Sequence, residues 1–237
     1  MDPKNPELTI VLPCLNEAET LGACLTEIEE MLRVESIEAE VIVADNGSTD
    51  RSIEIAREHG VIVMNVGERG YGNALRGGIR AARGTYVILG DADQSYNFHE
   101  VPLLLTKLRA GDDLVMGNRF LGRIEKGAMP WSHRRIGNPL LSKITRFLFH
   151  VPIHDVHCGL RGIRRAAYET LKLKTTGMEF ASEMVVSAAH HKLTMSEVPV
   201  TLRRDGRTRR PHLRSIPDGW RHLKFLIAFR RHQAQTR

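Results

Sequence analysis

Short apolar runs rich in β-branched residues alternate with longer stretches of helical spacing through the first half of this 237-residue chain. Residues 8–12 (LTIVL) form a first predicted strand, ended by Pro13. Residues 17–34 set Leu21, Leu25, Ile28 and Leu32 on one side of a helix, with acidic residues between them. Residues 40–44 (EVIVA) are a second strand, closed by Asp45-Asn46-Gly47-Ser48-Thr49-Asp50. That turn caps a helix through Ile53, Ala56 and His59, with Gly60 as its stop. A third strand (61–66), a third helix (73–83) and a fourth strand (85–89, TYVIL) follow. Strands that are continuously apolar and separated by helices mean an α/β fold, a mostly parallel sheet covered on both faces.

The order changes in the second half. A helix at 102–108 and a short strand at 114–116 lead to a basic, partly helical stretch at 129–149. Residues 155–165 read as a loop, 179–190 as a helix and 198–202 as a last strand. No internal repeat or low-complexity linker breaks the chain, so residues 1–237 are expected to form a single domain.

Composition narrows the class. Apolar residues make up 42% of the chain and charged residues 26%, enough for a core and too apolar for wholesale disorder. No apolar run approaches the ~18–20 residues of a membrane-spanning helix, and residues 1–6 do not resemble a secretory signal. Three scattered cysteines (Cys14, Cys24, Cys158) fit a reducing cytoplasm. The net charge of +6 conceals a split. Residues 1–118 carry 10 Lys/Arg against 20 Asp/Glu, and residues 119–237 carry 24 against 8. Either the second half meets an anionic partner (nucleic acid, a phosphorylated substrate or a lipid surface) or the two halves attract each other. A nucleic-acid-binding module would leave the acidic strand ends without a role.

Ligands of open α/β sheets bind beyond the carboxyl ends of the strands. Polar residues cluster at three of those ends, at 13–17, 45–50 and 91–93. Asp91-Ala92-Asp93 is the sharpest signal, because two carboxylates one residue apart can bind a hard divalent cation. Such a cation neutralises a diphosphate leaving group. Gly70-Tyr71-Gly72 is a poor dinucleotide fingerprint, since position 75 is Leu and the segment is not in the first βα turn. Its glycines still suit close backbone approach to a nucleotide sugar, or a plain loop and helix start. His154, His157 and Cys158 offer too few ligands for a structural zinc site.

Leu12-Pro13-Cys14-Leu15-Asn16-Glu17, the 45–50 turn and Asp91-Ala92-Asp93, taken together and in this order, resemble the family-2 glycosyltransferases of the GT-A fold. The likeness is greatest to the branch that makes dolichyl- or polyprenyl-phosphate sugars, over roughly residues 8–225. The resemblance implies a single GT-A domain, with 1–118 binding a nucleotide diphosphate sugar such as UDP-glucose or GDP-mannose. It implies 119–210 as the acceptor half and 211–237 as a basic tail. Pro13, Glu17 and Asp45 would hold base and ribose, with Leu15, Gly47, Ser48, Asp50, Gly70, Gly72 and Ala92 completing the donor site. Asp91 and Asp93 would bind Mg²⁺ or Mn²⁺ with the diphosphate, where relatives often add a Gln at the position of Ser95. Within Arg203-Arg204-Asp205-Gly206-Arg207-Thr208-Arg209, Arg203 would close over the diphosphate and Arg209 would stand where Lys is usual.

By the same resemblance, the segments holding Arg119, Arg134 with Arg135, and 155–161 with Asp155 belong to a polyprenyl-phosphate site. Guanidinium groups suit that task because they grip phosphate oxygens in pairs. An ionised phosphate needs positioning rather than a base. A hydroxyl acceptor would need one, and Asp155, Glu179 and Glu183 are the candidates. Residues 220–229 place Trp220, Leu223, Leu226 and Ile227 on one side of a helix and basic residues around the other. That helix is expected either to lie on the inner face of a membrane or to dock on the domain.

Overall fold

Complete burial of Leu8, Ile10, Val11 and Leu12 makes β1 (Leu8–Cys14) the spine of the sheet. A computed structural model describes residues 5–208 and 215–235. β1 pairs in parallel with β2 (Ala39–Asp45) on one side and with β4 (Tyr86–Leu89) on the other. Beyond β2 lies β3 (Ile62–Asn65), a parallel edge strand. The helices α1 (Leu21–Val34), α2 (Ser52–Glu58) and α3 (Tyr71–Ala81) make the crossovers. Strand order turns outward in both directions from β1, which puts a crevice at the carboxyl ends of β1, β2 and β4.

The other side of the sheet is built from the second half. After α4 (Val101–Arg109) come β5 (Leu114–Ile124), β6 (Arg161–Arg164) and β7 (Met195–Leu202), and the seven strands run β3-β2-β1-β4-β6-β5-β7. β6 is antiparallel to both β4 and β5, whereas β7 is parallel to β5. Here the structure corrects the sequence reading, because 161–164 was expected within a loop. Arg-Gly-Ile-Arg has little strand character of its own; it becomes a strand because β4 and β5 supply hydrogen bonds on both sides. β5 also runs eight residues past its expected end, with a register shift between Asn118 and Arg123.

α5 (Asn138–Phe149), α6 (Arg165–Leu171) and α7 (Phe180–His190) complete the helices of the second half, with a π-helical turn at His133–Gly137 leading into α5. The terminal α8 (Ser215–Gln235) packs on α5 and α7. Its Leu226 is fully buried and Phe229 meets Phe149 edge-on at 5.8 Å. Of the two expectations for the tail, docking on the domain is what the described residues show, while Trp220 and Ile227 stay exposed. Among the described residues no helix is long and apolar enough to cross a membrane.

At the end of the sheet opposite the crevice, buried Glu40 accepts from Thr9 Oγ1 (2.8 Å), Arg83 N (2.6 Å) and Arg83 Nε (2.8 Å). Glu40→Ala removes the acceptor of the fully buried Thr9 hydroxyl, which keeps only the bond it accepts from Gly84 N. The expected cost is about 1–3 kcal/mol, read as a lower urea midpoint with an unchanged slope. An unshifted midpoint would mean that this cluster contributes nothing net.

Candidate active site

Backbone-to-side-chain bonds lace the first two strand ends together. Asn16 takes the left-handed conformation (φ 58°), and its N–H donates to Ser48 Oγ at 2.9 Å while its Oδ1 accepts from Thr49 N at 2.7 Å. Glu17 N donates to Ser52 Oγ (2.8 Å) and Ala18 N to Asp50 Oδ2 (3.1 Å). Asp45 caps its own turn, accepting from Gly47 N (3.0 Å) and Ser48 N (3.2 Å). Asn46 Nδ2 donates to the carbonyls of Val66 and Glu68, and its Oδ1 accepts from Gly70 N at 2.6 Å. These bonds hold the two loops against each other, the kind of support a precise site requires.

The third strand end carries the acids. Tyr71 Oη donates to Asp91 Oδ1 at 3.0 Å. On the other side, a Cβ at position 159 would lie 2.3 Å from Asp91 Oδ2, so only Gly159 lets that loop approach. Asp93 Oδ1 accepts from Ser95 N (3.0 Å) and Ser95 Oγ (2.5 Å), and Gln94 in the left-handed region (φ 63°) makes this return possible. Asp93 Oδ2 meets Arg207 Nη2 at 2.9 Å. Burial pushes the Asp91 carboxyl up to about 6, and the charge of Asp93 adds to the effect. The Asp93 carboxyl is also raised, chiefly by burial. A bound cation would relieve both penalties, and the chemistry of the pair fits a hard divalent ion.

Arg207 holds the segment after β7 over this site. It reaches Glu17 at 3.0 Å as well as Asp93, and pairs with Asp205. Gly206 N donates to the Asp93 carbonyl at 2.9 Å and Arg203 N to the Ser95 carbonyl at 2.7 Å. The sequence reading missed Arg207 although it stands in the basic element that was singled out. Its signal was the neighbouring Asp205-Gly206, which turns the chain back toward the strand ends. Arg203, expected over the diphosphate, instead pairs with Glu27 of α1 at 2.7 Å.

The three ends open into one cavity of about 740 Å³. Of the donor-site expectations, Pro13, Leu15, Glu17, Gly70, Asp91, Ala92 and Asp93 line it. Asp45, Gly47, Ser48 and Asp50 form the lacing behind the wall. Gly72 packs against the segment after α6: a Cβ there would fall 2.5 Å from the Thr175 carbonyl oxygen. Its glycine thus has a packing reason.

The family model for glycosyl transferase family 2 matches residues 9–172. The chain belongs to glycosyltransferase family 2. The low-salt glycan biosynthesis hexosyltransferase Agl6 of Haloferax volcanii is 42% identical over 94% of this chain. The match covers 53% of that relative, so the chain spans about half its length. The dolichyl-phosphate hexose transferase of the same organism is 32% identical over 86% of each chain. Among solved structures, glucosyl-3-phosphoglycerate synthase from Mycobacterium tuberculosis in complex with Mn²⁺, UDP and glucosyl-3-phosphoglycerate has the same fold. Its TM-score is 0.73 at 21% identity, covering 95% of this chain and 80% of that one.

In this family-2 chain the residues expected on the acceptor side are scattered. Arg119 lines the cavity but is locked to buried Asp155 by two side-chain bonds of 2.7 Å, and its N–H donates to the same carboxylate at 3.0 Å. Asp155 lies behind the wall. Arg134 and Arg135 are exposed on the π-helical turn, next to the lining residues His133 and Gly137. Arg209 lies outside the described residues.

The raised carboxyl of Asp91 has a consequence for the protein without ligands. Its proton is retained on folding up to about pH 6, against an unperturbed value of 3.8. Asp91 therefore favours the folded state at low pH, and that contribution is lost as pH rises through 6. Asp91→Asn removes the loss. The metal-free variant is expected to exceed wild type by about 3 kcal/mol near pH 8, with the gap closing toward pH 4. Urea melts in chelator at several pH values measure it, and a gap that does not vary with pH would refute the assignment.

Proposed function

We propose that this protein is a metal-dependent inverting hexosyltransferase that moves a hexose from a nucleotide diphosphate sugar to a polyprenyl phosphate. The observation that carries the reading is the carboxylate pair Asp91 and Asp93, opening beside the laced β1 and β2 loops in one cavity of a family-2 chain. Asp91 and Asp93 would hold Mg²⁺ or Mn²⁺. Among the described residues no cluster of three or more His, Cys, Asp or Glu is assembled, so diphosphate oxygens would complete the ion's shell. When bound, the ion supplies neutralisation of the charge that builds on the leaving diphosphate. Pro13, Leu15 and Glu17 would take the nucleoside, with Asp45, Gly47, Ser48 and Asp50 fixing that loop from behind and Gly70 and Ala92 lining the sugar path.

An ionised phosphate oxygen of the acceptor attacks the anomeric carbon, and the bond from that carbon to the β-phosphate oxygen breaks. The electron pair leaves with the nucleoside diphosphate, and the configuration inverts. No proton has to move. Two candidate bases for a hydroxyl acceptor are occupied: Asp155 holds Arg119, and Glu183 accepts from Lys174 N, Thr175 N and Thr175 Oγ1. The third, Glu179, is not among the residues lining the cavity. This engagement supports a phosphate acceptor, as does the likeness to the dolichyl-phosphate hexose transferase.

A lipid acceptor brings the protein to a bilayer. Along the π-helical turn and α5, which contribute His133, Gly137 and Leu141 to the cavity wall, Trp131 (69% exposed), Ile136, Leu140 and Phe147 (80% exposed) alternate with exposed Arg134, Arg135, Lys143 and Arg146. Apolar side chains interleaved with basic ones suit an anionic membrane surface. Arg134 and Arg135 would serve the acceptor there, at the headgroup level.

Two measurements test the reading. Asp93→Asn is expected to lower transfer about 1,000-fold with an unchanged circular dichroism spectrum, and product from the wild type should partition into organic solvent. Near-normal turnover in the variant, or a product that stays in water, would overturn it. Replacing Arg134 and Arg135 together by Ala should weaken binding to phosphatidylglycerol vesicles about 10–30-fold while sparing transfer to a short, water-soluble prenyl phosphate. Unchanged vesicle binding would remove the two arginines from the membrane contact.

A further inference from the structure

Arg161 is a buried cation two of whose nitrogens have no hydrogen-bond partner. The residue is 1% exposed, lines the cavity, and its Nε and Nη1 make no hydrogen bond. Desolvating a guanidinium with open N–H groups is costly, and such groups in native proteins have a reason. Register fixes where it sits. As the first residue of antiparallel β6, Arg161 stands beside Leu89, the last residue of β4, and beside Met116 of β5. It is thus at the carboxyl end of the sheet, with Asp91 two residues along from Leu89. Its charge is felt by Asp91, Tyr71 and His157, each of which borders the cavity.

Other basic residues around the site are engaged or exposed. Arg119 is spent on Asp155, Arg203 on Glu27, and Arg207 on Glu17, Asp93 and Asp205. Arg69 and Arg221 are exposed at the rim, and Arg134 and Arg135 do not line the cavity. Arg161 is therefore, among the described residues, the fully buried lining arginine whose donors are open. We propose that Arg161 is the seat of the reacting acceptor phosphate, holding it at the cavity floor next to Asp91 for attack on the hexose.

The inference rests on the reading of a phosphate acceptor given above and names the residue that would receive it. It separates two tasks: Arg134 and Arg135 meet the bilayer, whereas Arg161 positions the nucleophile. A guanidinium suits this seat because its planar donors grip two phosphate oxygens and it stays charged when buried.

Steady-state kinetics with farnesyl phosphate, and thermal shifts with Mn²⁺ and the donor that the wild type accepts, form the test. Arg161→Gln should raise the KM for farnesyl phosphate about 100-fold or more and leave the donor-induced shift as in wild type. Arg161→Lys should recover part of the loss. An unchanged KM, or a lost donor shift with KM intact, overturns the seat, the second result assigning Arg161 to the donor diphosphate instead. A wild type that binds farnesyl phosphate by calorimetry, loses that binding in Arg161→Gln, and yet transfers no sugar to it would support the seat while overturning the proposed reaction. Should Arg161→Gln not fold, wild-type crystals soaked with farnesyl phosphate decide. A phosphate oxygen about 2.8 Å from the guanidinium supports the proposal, and phosphate resting on Arg134 or Arg135 overturns it.

Discussion

Two carboxylates one residue apart, beyond a strand whose last three residues are buried, repel each other in surroundings that also strip away their water. Asp91 cannot turn aside, because Tyr71 holds one oxygen and Gly159 crowds the other. Asp93 cannot either, because Ser95 takes one oxygen and Arg207 the other. The penalty is visible in the raised Asp91 carboxyl. Burial is the larger part of that penalty, and nearby arginines offset it. The loop after β7 brings Arg207 across to Asp93, and β6 runs against its neighbours to set Arg161 near Asp91. A carboxylate pair buried in this way gains more from binding a cation than a solvent-exposed pair would.

The positions of the acids were legible in the sequence because they depend on local rules. A continuous apolar run reads as a buried strand, the residues after it as the ligand-bearing end, and three such ends in order identify the family. The helices α2, α4 and α7 and the strands of the first half fall within a few residues of where spacing puts them. α1 is shorter than expected, starting at Leu21, because residues 17–20 are pulled into the lacing with the β2 loop.

What was not legible depends on partners far away in the chain. β6 has no strand pattern of its own and exists because two neighbours complete its hydrogen bonds. Arg207 and Arg203 stand in one basic run, and nothing local says which of them turns toward Glu17 and which toward Glu27. Arg119 and Asp155 both looked like reacting groups, being a cation and an acid in polar segments. In the fold each is the other's counter-ion, which a linear reading cannot see. Gly72 illustrates the reverse case, where a residue suited to a ligand is required by a neighbouring backbone.

The charge split between the halves now divides into two uses. Part of it is mutual attraction: Arg164 with Asp113, Arg203 with Glu27, and Arg207 with Glu17 and Asp93 all cross from the basic half to the acidic one. Those pairs lie along the sheet and around the strand ends, and they fasten the second half onto the first. They leave a surplus, which is spread over the exposed faces of the π-helical turn, α5 and α8, where Arg134, Arg135, Lys143, Arg146 and Lys224 have water around them. Holding that many like charges on one side works against folding, so attraction between the halves does not account for it. The same side carries Trp131, Leu140 and Phe147 in the open. Apolar exposure and uncompensated positive charge each have a cost in water, and one anionic, partly apolar surface would offset both.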